Sequence, residues 1–154
     1  MEVKHLNSFI LKNKVKRHDE VKDKLMDLIV NNESDSTEYD GGFISRTDYH
    51  LDENHTRTYL PLFFEIIEPI LQEQANFFMS KEANVHHAWF QQYYMYDKHN
   101  WHNHGKSNFA SIYYLELPDK NMKTQFFDIL DKKIIEDIDI EEGDLITFPA
   151  YIIH

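Results

Sequence analysis

The sequence predicts an α+β domain, mainly β, with helices in its N-terminal part (about residues 1–84) and a β part from about 85 to 154. Three observations carry that expectation. Apolar residues recur at helical spacing over residues 18–30 and 58–80. From residue 85 the pattern changes to short aromatic and β-branched runs. Between those runs lie tight turn signals, Asp131-Lys132 and Glu141-Glu142-Gly143. Short strands following N-terminal helices predict a barrel or jelly roll with helices packed outside. At 154 residues the chain is the size of one domain with its own core, and no repeat or low-complexity linker divides it.

Taken in order, residues 18–30 place Val21, Leu25, Leu28 and Ile29 on one face with Lys and Asp opposite, an amphipathic helix. Residues 31–42, NNESDSTEYDGG, read as a polar loop ending in a glycine pair. The second helix carries Leu62, Phe63, Ile66, Ile67, Ile70 and Leu71 as its apolar stripe. Pro61 suits its first turn, and Pro69 is expected to kink or split it. Strands are expected over Val85–Tyr96, Phe109–Leu117, Thr124–Leu130, Lys133–Ile140 and Asp144–Phe148.

Composition narrows the function classes. The absence of cysteine excludes disulfides, cysteine zinc sites, iron–sulfur clusters and thiol catalysis. Sixteen Lys and Arg against 27 Asp and Glu give a net charge of −11, which argues against nucleic acid or an anionic membrane as partner. No apolar run reaches the ~18 residues of a membrane span. The charged N-terminus lacks the apolar core of a signal peptide, so a cytoplasmic location is expected and the sequons at Asn32 and Asn54 carry no glycan. There is no phosphate-cradling glycine loop and no Gly-x-Ser-x-Gly elbow. The acidic run Glu136–Asp144 lacks the glycine-punctuated spacing of a calcium loop and reads as a solvated hairpin.

The ten histidines are the distinctive feature, and three fall within six residues: His99, His102 and His104. In an extended segment residues i and i+2 project from the same side. His102 and His104 then offer two imidazoles to one ion, and Gly105 lets the chain turn away. The second element is Gly143-Asp-Leu-Ile-Thr-Phe-Pro149, a turn and short strand broken by proline, followed by His154. A His-x-His pair with a third histidine about 50 residues on suits a β-barrel Fe(II) site with open coordination positions.

These pieces together resemble a known family. Trp89-Phe-Gln-Gln-Tyr93, Trp101-His-Asn-His-Gly105, Ile112-Tyr-Tyr-Leu-Glu-Leu-Pro118 and Gly143-Asp-Leu-Ile-Thr-Phe-Pro149-x4-His154 look like the 2-oxoglutarate- and Fe(II)-dependent oxygenases found in marine bacteria and their phages. The N-terminal helix and Thr47-Asp-Tyr49 also fit. The resemblance implies a double-stranded β-helix (jelly roll), with His102, His104 and His154 as iron ligands, 2-oxoglutarate as co-substrate and molecular oxygen as oxidant. Its substrate would be a small molecule or a protein side chain. In the wider superfamily a carboxylate usually stands where this chain has His104. Asp97 and Glu116 are the nearest substitutes, but by alternation Glu116 shares a face with Ile112 and Tyr114, opposite Tyr113, Leu115 and Leu117. Superfamily members also carry an Arg or Lys about one strand beyond the last histidine to bind the far carboxylate of 2-oxoglutarate. Here the sequence given stops at His154. The expectation is a jelly roll truncated before its C-terminal strand, binding iron and 2-oxoglutarate weakly.

Three further residues are candidate co-substrate contacts. Tyr113 faces the interior if Leu115 and Leu117 do, where its hydroxyl either binds a carboxylate or packs with a hydrogen bond. Gln91 and Tyr93 share a strand face with Trp89 and either line a pocket or meet solvent. His99 is a second partner of the site or an exposed loop residue. His86 and His87 point to opposite faces, and His5, His18, His50 and His55 show no partner pattern. Two rival readings remain: a cupin-like three-histidine dioxygenase or isomerase that uses no 2-oxoglutarate, and a non-catalytic jelly-roll binding module.

Overall fold

The amphipathic spacing at 18–30 becomes a helix, His18–Val30, in the computed structural model of the chain, which describes residues 8–39, 41–52, 54–135 and 138–154. The elements run β1 (Leu11–Lys14), α1 (His18–Val30), β2 (Asp35–Tyr39), β3 (Gly42–Thr47), α2 (Leu60–Phe77) and β4 (Gln91–Gln92). They continue with β5 (Phe109–Tyr113), β6 (Phe126–Asp128), β7 (Lys133–Ile135) and β8 (Asp144–Pro149). The described residues therefore form a mixed α+β fold of two α-helices and antiparallel sheets. His5, Glu136 and Asp137 lie outside the described residues. The chain divides into two compact units, Val15–Asn100 and a second that joins the segment through Lys14 to Trp101–His154.

In the first unit, α1 buries His18, Val21 and Leu25. Asp19 and Glu20 sit in its first turn, where the helix dipole favours anions. Arg17 bonds Glu20 and reaches Glu65 on α2. At the other end of α1 the Arg46 guanidinium donates to the carbonyls of Val30 (3.2 Å), Ile29 and Asn32 (both 3.4 Å), satisfying acceptors that the helix leaves open. Helix α2 has Pro61 in its first turn and buries Ile66, Ile67 and Ile70. Pro69 does not split it. Pro69 and Glu65, whose carbonyl the proline deprives of a donor, both lie on the exposed side of the helix.

Of the polar stretch 31–42, residues 31–34 form the expected loop. From Asp35 it builds the β2–β3 hairpin, in which Tyr39 pairs with Gly42 and Gly41 takes φ +77°. Asp40-Gly41 is the sequence signal for such a hairpin. Strand β4 adds to β3 through Arg46–Gln92 and Thr47–Gln91. The long strand expected over 85–96 is thus only two residues of ladder. An aromatic run suits a pleated surface, but its extent is decided by the partner available, here β3 alone.

The second unit is built on the sheet β1-β8-β5, all antiparallel, with β8 in the centre and buried along its whole length. Leu11 pairs with Thr147 on one side of β8, and Ser111 pairs with Thr147 on the other. One core joins Ile146 and Phe148 of this sheet to Tyr114, Phe126 and Ile140, with Ala110, Ile112, Ile135 and Ile152 against it. The β6–β7 hairpin packs onto the sheet through that core, the Phe126 and Phe148 rings meeting edge to face at 4.9 Å. Lys12 and Lys14 of β1 donate to the carbonyls of Asp139 (2.8 Å) and Glu142 (2.6 Å). The acidic segment 138–144 is in this way clasped by β1.

Candidate metal centre

The alternation expected of an extended His-x-His segment is present: His102 and His104 are half-buried while Trp101 and Asn103 are exposed. Backbone pairing supplies the third imidazole. His102 N–H donates to the His154 carbonyl at 3.0 Å, and His154 N–H donates back to His102 at 3.1 Å. Two residues that exchange both bonds in an antiparallel pair project to the same face. His104 N–H donates to the Ala150 carbonyl (2.8 Å), and Phe127 N–H to that of Ile153 (2.9 Å). The histidine segments therefore continue the β6–β7 hairpin edge to edge.

On the inner face the three rings converge. Their centroids are 4.3 Å apart for His102–His154, 5.0 Å for His102–His104 and 5.1 Å for His104–His154. One nitrogen from each lies within 4.8 Å of the others. The His154 ring leans edge-on against Phe148, at 4.6 Å, and its Nδ1 lies 3.0 Å from the Ile152 carbonyl. A carbonyl only accepts, so Nδ1 carries the proton and Nε2 keeps its lone pair for a ligand. Burial, and secondarily the neighbouring His102, lower the His104 pKa below the usual imidazole value. The ring is thereby held in the neutral, metal-binding form.

Comparisons of the chain with protein-family models, with curated proteins and with solved structures find no match.

Among the described residues no Asp or Glu joins the three histidines. Asp97 is committed elsewhere, its carboxylate accepting from Tyr94 N–H (2.8 Å) and Ser45 N–H (3.0 Å). Glu116 is exposed. Tyr113 stands apart from the expectation built on alternation. The sheet face that meets the core carries Ala110 and Ile112, with Tyr114 buried next to them, while Tyr113 lies on the face of Ser111. The reason is local: Leu115 N–H bonds back to the Tyr113 carbonyl, ending the strand, so period two no longer links 113 to 115 and 117. Tyr114, the residue that alternation put outside, is 7% exposed, and its hydroxyl accepts from Thr124 N–H.

Gln91 and Tyr93 belong to the other unit, where the Tyr93 hydroxyl donates to Gln91 Oε1 at 2.7 Å. The chain turns at Gly105-Lys106 as expected, although the Gly105 φ is not left-handed and a Cβ there would meet nothing within 4 Å. Two groups escaped sequence reasoning altogether. The Ile152 carbonyl is invisible in a side-chain pattern, and Phe148 was read only as strand, although it stands six residues before His154 in the Gly143–His154 motif.

Proposed function

We propose that the protein is a non-haem Fe(II)- and 2-oxoglutarate-dependent oxygenase, hydroxylating a small molecule or a protein side chain on a jelly-roll scaffold. The observation that carries the reading is the convergence of His102, His104 and His154 from two paired segments onto one face. Donors around one ion at ~2.1 Å stand about 3 Å apart when mutually perpendicular, and one nitrogen of each of the three rings lies within 4.8 Å of the others. The donor set fits Fe(II): three imidazoles leave coordination positions open. The jelly-roll reading is supported by the packing of one antiparallel layer, β1-β8-β5, against another made of the histidine segments and β6–β7.

Fe(II) bound here with 2-oxoglutarate would supply oxygen activation, leading to succinate, carbon dioxide and a hydroxylated C–H bond. This chain's residues do the positioning. The Ile152 carbonyl fixes the His154 tautomer, His104 is kept neutral, and Phe126 and Phe148 form a dry wall behind His154. Three neutral ligands leave the full charge of the ion uncompensated, which favours an anionic chelating co-substrate.

The absence of a carboxylate among the described residues favours a second reading, a three-histidine metalloprotein that uses no 2-oxoglutarate. Anaerobic titration separates the two. The first expects one Fe(II) per chain, a visible charge-transfer absorbance on adding 2-oxoglutarate, and loss of both in His102→Ala. Stoichiometric iron with no absorbance change selects the second, and no stoichiometric metal after reconstitution selects a non-catalytic binding module.

A further inference from the structure

Two turns of the chain share one geometry but not one sequence logic. In Glu141–Asp144, Asp144 N–H bonds to the Glu141 carbonyl and the third residue is Gly143, at φ +82°. In Tyr94–Asp97, Asp97 N–H bonds to the Tyr94 carbonyl and the third residue is Tyr96, at φ +74°. A turn with left-handed backbone at its third position is of type II, and glycine is the residue that adopts it without steric cost. Gly143 follows that rule and Tyr96 breaks it.

The strained residue gains nothing from the core in return. Tyr96 is 92% exposed and Met95 77%, with Tyr94 and Phe43 also exposed. The turn that presents them is held firmly. Asp97 accepts from Tyr94 N–H and Ser45 N–H, and Phe43 and Lys98 exchange backbone hydrogen bonds at 2.8 and 3.0 Å. Large apolar side chains set on a rigid, strained, solvent-facing turn are arranged as binding anchors: the ordering entropy is spent before a partner arrives. Charge indicates which partner. Residues 15–100 contain 16 Asp and Glu against 8 Lys and Arg, so the unit bearing the turn attracts cations. Exposed tyrosine faces are receptors for guanidinium groups.

We propose that the Tyr94–Asp97 turn is a docking point for a cationic protein segment whose arginines stack on Tyr94 and Tyr96 while its apolar side chains cover Met95. The proposal stands independently of the metal centre.

The test uses the full chain and fluorescein-labelled decapeptides of alternating Arg and Ser, with Lys or Glu replacing Arg as controls. Tyr96→Gly removes the ring and the strain together, so it is expected to raise Tm and to weaken Arg-peptide binding about fivefold or more. Tyr96→Asn, which tolerates the same backbone, is expected to bind as weakly as Tyr96→Gly. Weaker binding by both variants at an unchanged or raised Tm supports the docking role. The proposal is overturned by wild-type protein that ignores the Arg peptide, by variants that bind it like wild type, or by Lys and Arg peptides binding alike. Capture of wild-type protein by neutral phosphatidylcholine vesicles in place of the peptide also overturns it, in favour of a membrane contact.

Discussion

The ring of His154 meets that of Phe148 edge to face, with centroids 4.6 Å apart. Phe148 is fully buried and also meets the Phe126 ring edge to face, so one side chain serves both the core and the histidine cluster. Phe148→Ala is expected to cost about 3–5 kcal/mol in urea denaturation, and Phe148→Leu about 1.5 kcal/mol. Metal affinity should fall in both, because the His154 ring loses the surface that limits its rotation. Unchanged metal affinity in a folded Phe148→Leu variant would show that the Ile152 hydrogen bond alone sets the ring.

His104 gives the centre its pH behaviour. Its pKa lies below the ordinary imidazole value, by burial first and by His102 second. The folded state therefore disfavours the protonated ring. The resulting stability is complete above pH ~6.5, the unfolded value, and is lost as pH falls through the lowered folded pKa. Imidazole titration of the metal-free protein by NMR should show His104 titrating below that value. A His104→Ala variant should lose part of the acid-side fall in Tm.

The first unit depends on a buried charge. Asp48, fully buried, accepts from Arg57 Nε (3.0 Å), the Tyr59 hydroxyl (2.8 Å) and Phe90 N–H (3.0 Å). Burial first, and Asp48 second, push the Tyr59 phenol well above its usual pKa, so it remains a donor. Asp48→Asn leaves Arg57 uncompensated and is expected to destabilise by about 3–5 kcal/mol. Tyr59→Phe removes one hydrogen bond to a charged group, about 1.5–3 kcal/mol. Chemical denaturation of the two variants checks the order.

Helix α2 ends on Met79, left-handed at φ +53°, where Ser80 N–H bonds the Ala75 carbonyl and Met79 N–H that of Asn76. That closing pattern favours glycine. Met79 is almost wholly exposed, so Met79→Gly removes strain at little cost in packing and is expected to stabilise by about 1 kcal/mol. A Tm below that of wild type would contradict this account.

What the sequence made legible follows from periodicity. Helices α1 and α2 were readable because their apolar residues recur at helical spacing, and the pair His102 and His104 because an extended His-x-His segment puts both rings on one face. Strand β1 was not readable: Leu11-Lys-Asn-Lys14 has one apolar residue, and its place is set by pairing with β8. Strand β2, DSTEY, is nearly all polar and is held by the turn at Gly41. Tyr113 and Tyr114 exchanged the expected roles because a single backbone hydrogen bond, Leu115 to Tyr113, ends the strand between them and the next leucine.

The place of β8 between β1 and β5 has a consequence for synthesis on the ribosome. Residues 15–100 are complete, with their own hairpin and both helices, before any of β8 has been translated. Strand β1 is made first yet pairs only with β8, as Leu11 does with Thr147. The sheet and the histidine centre thus close by contacts of very long sequence separation, the slow kind. The first unit can fold while the chain is still emerging, and the cluster of His102, His104 and His154 assembles last.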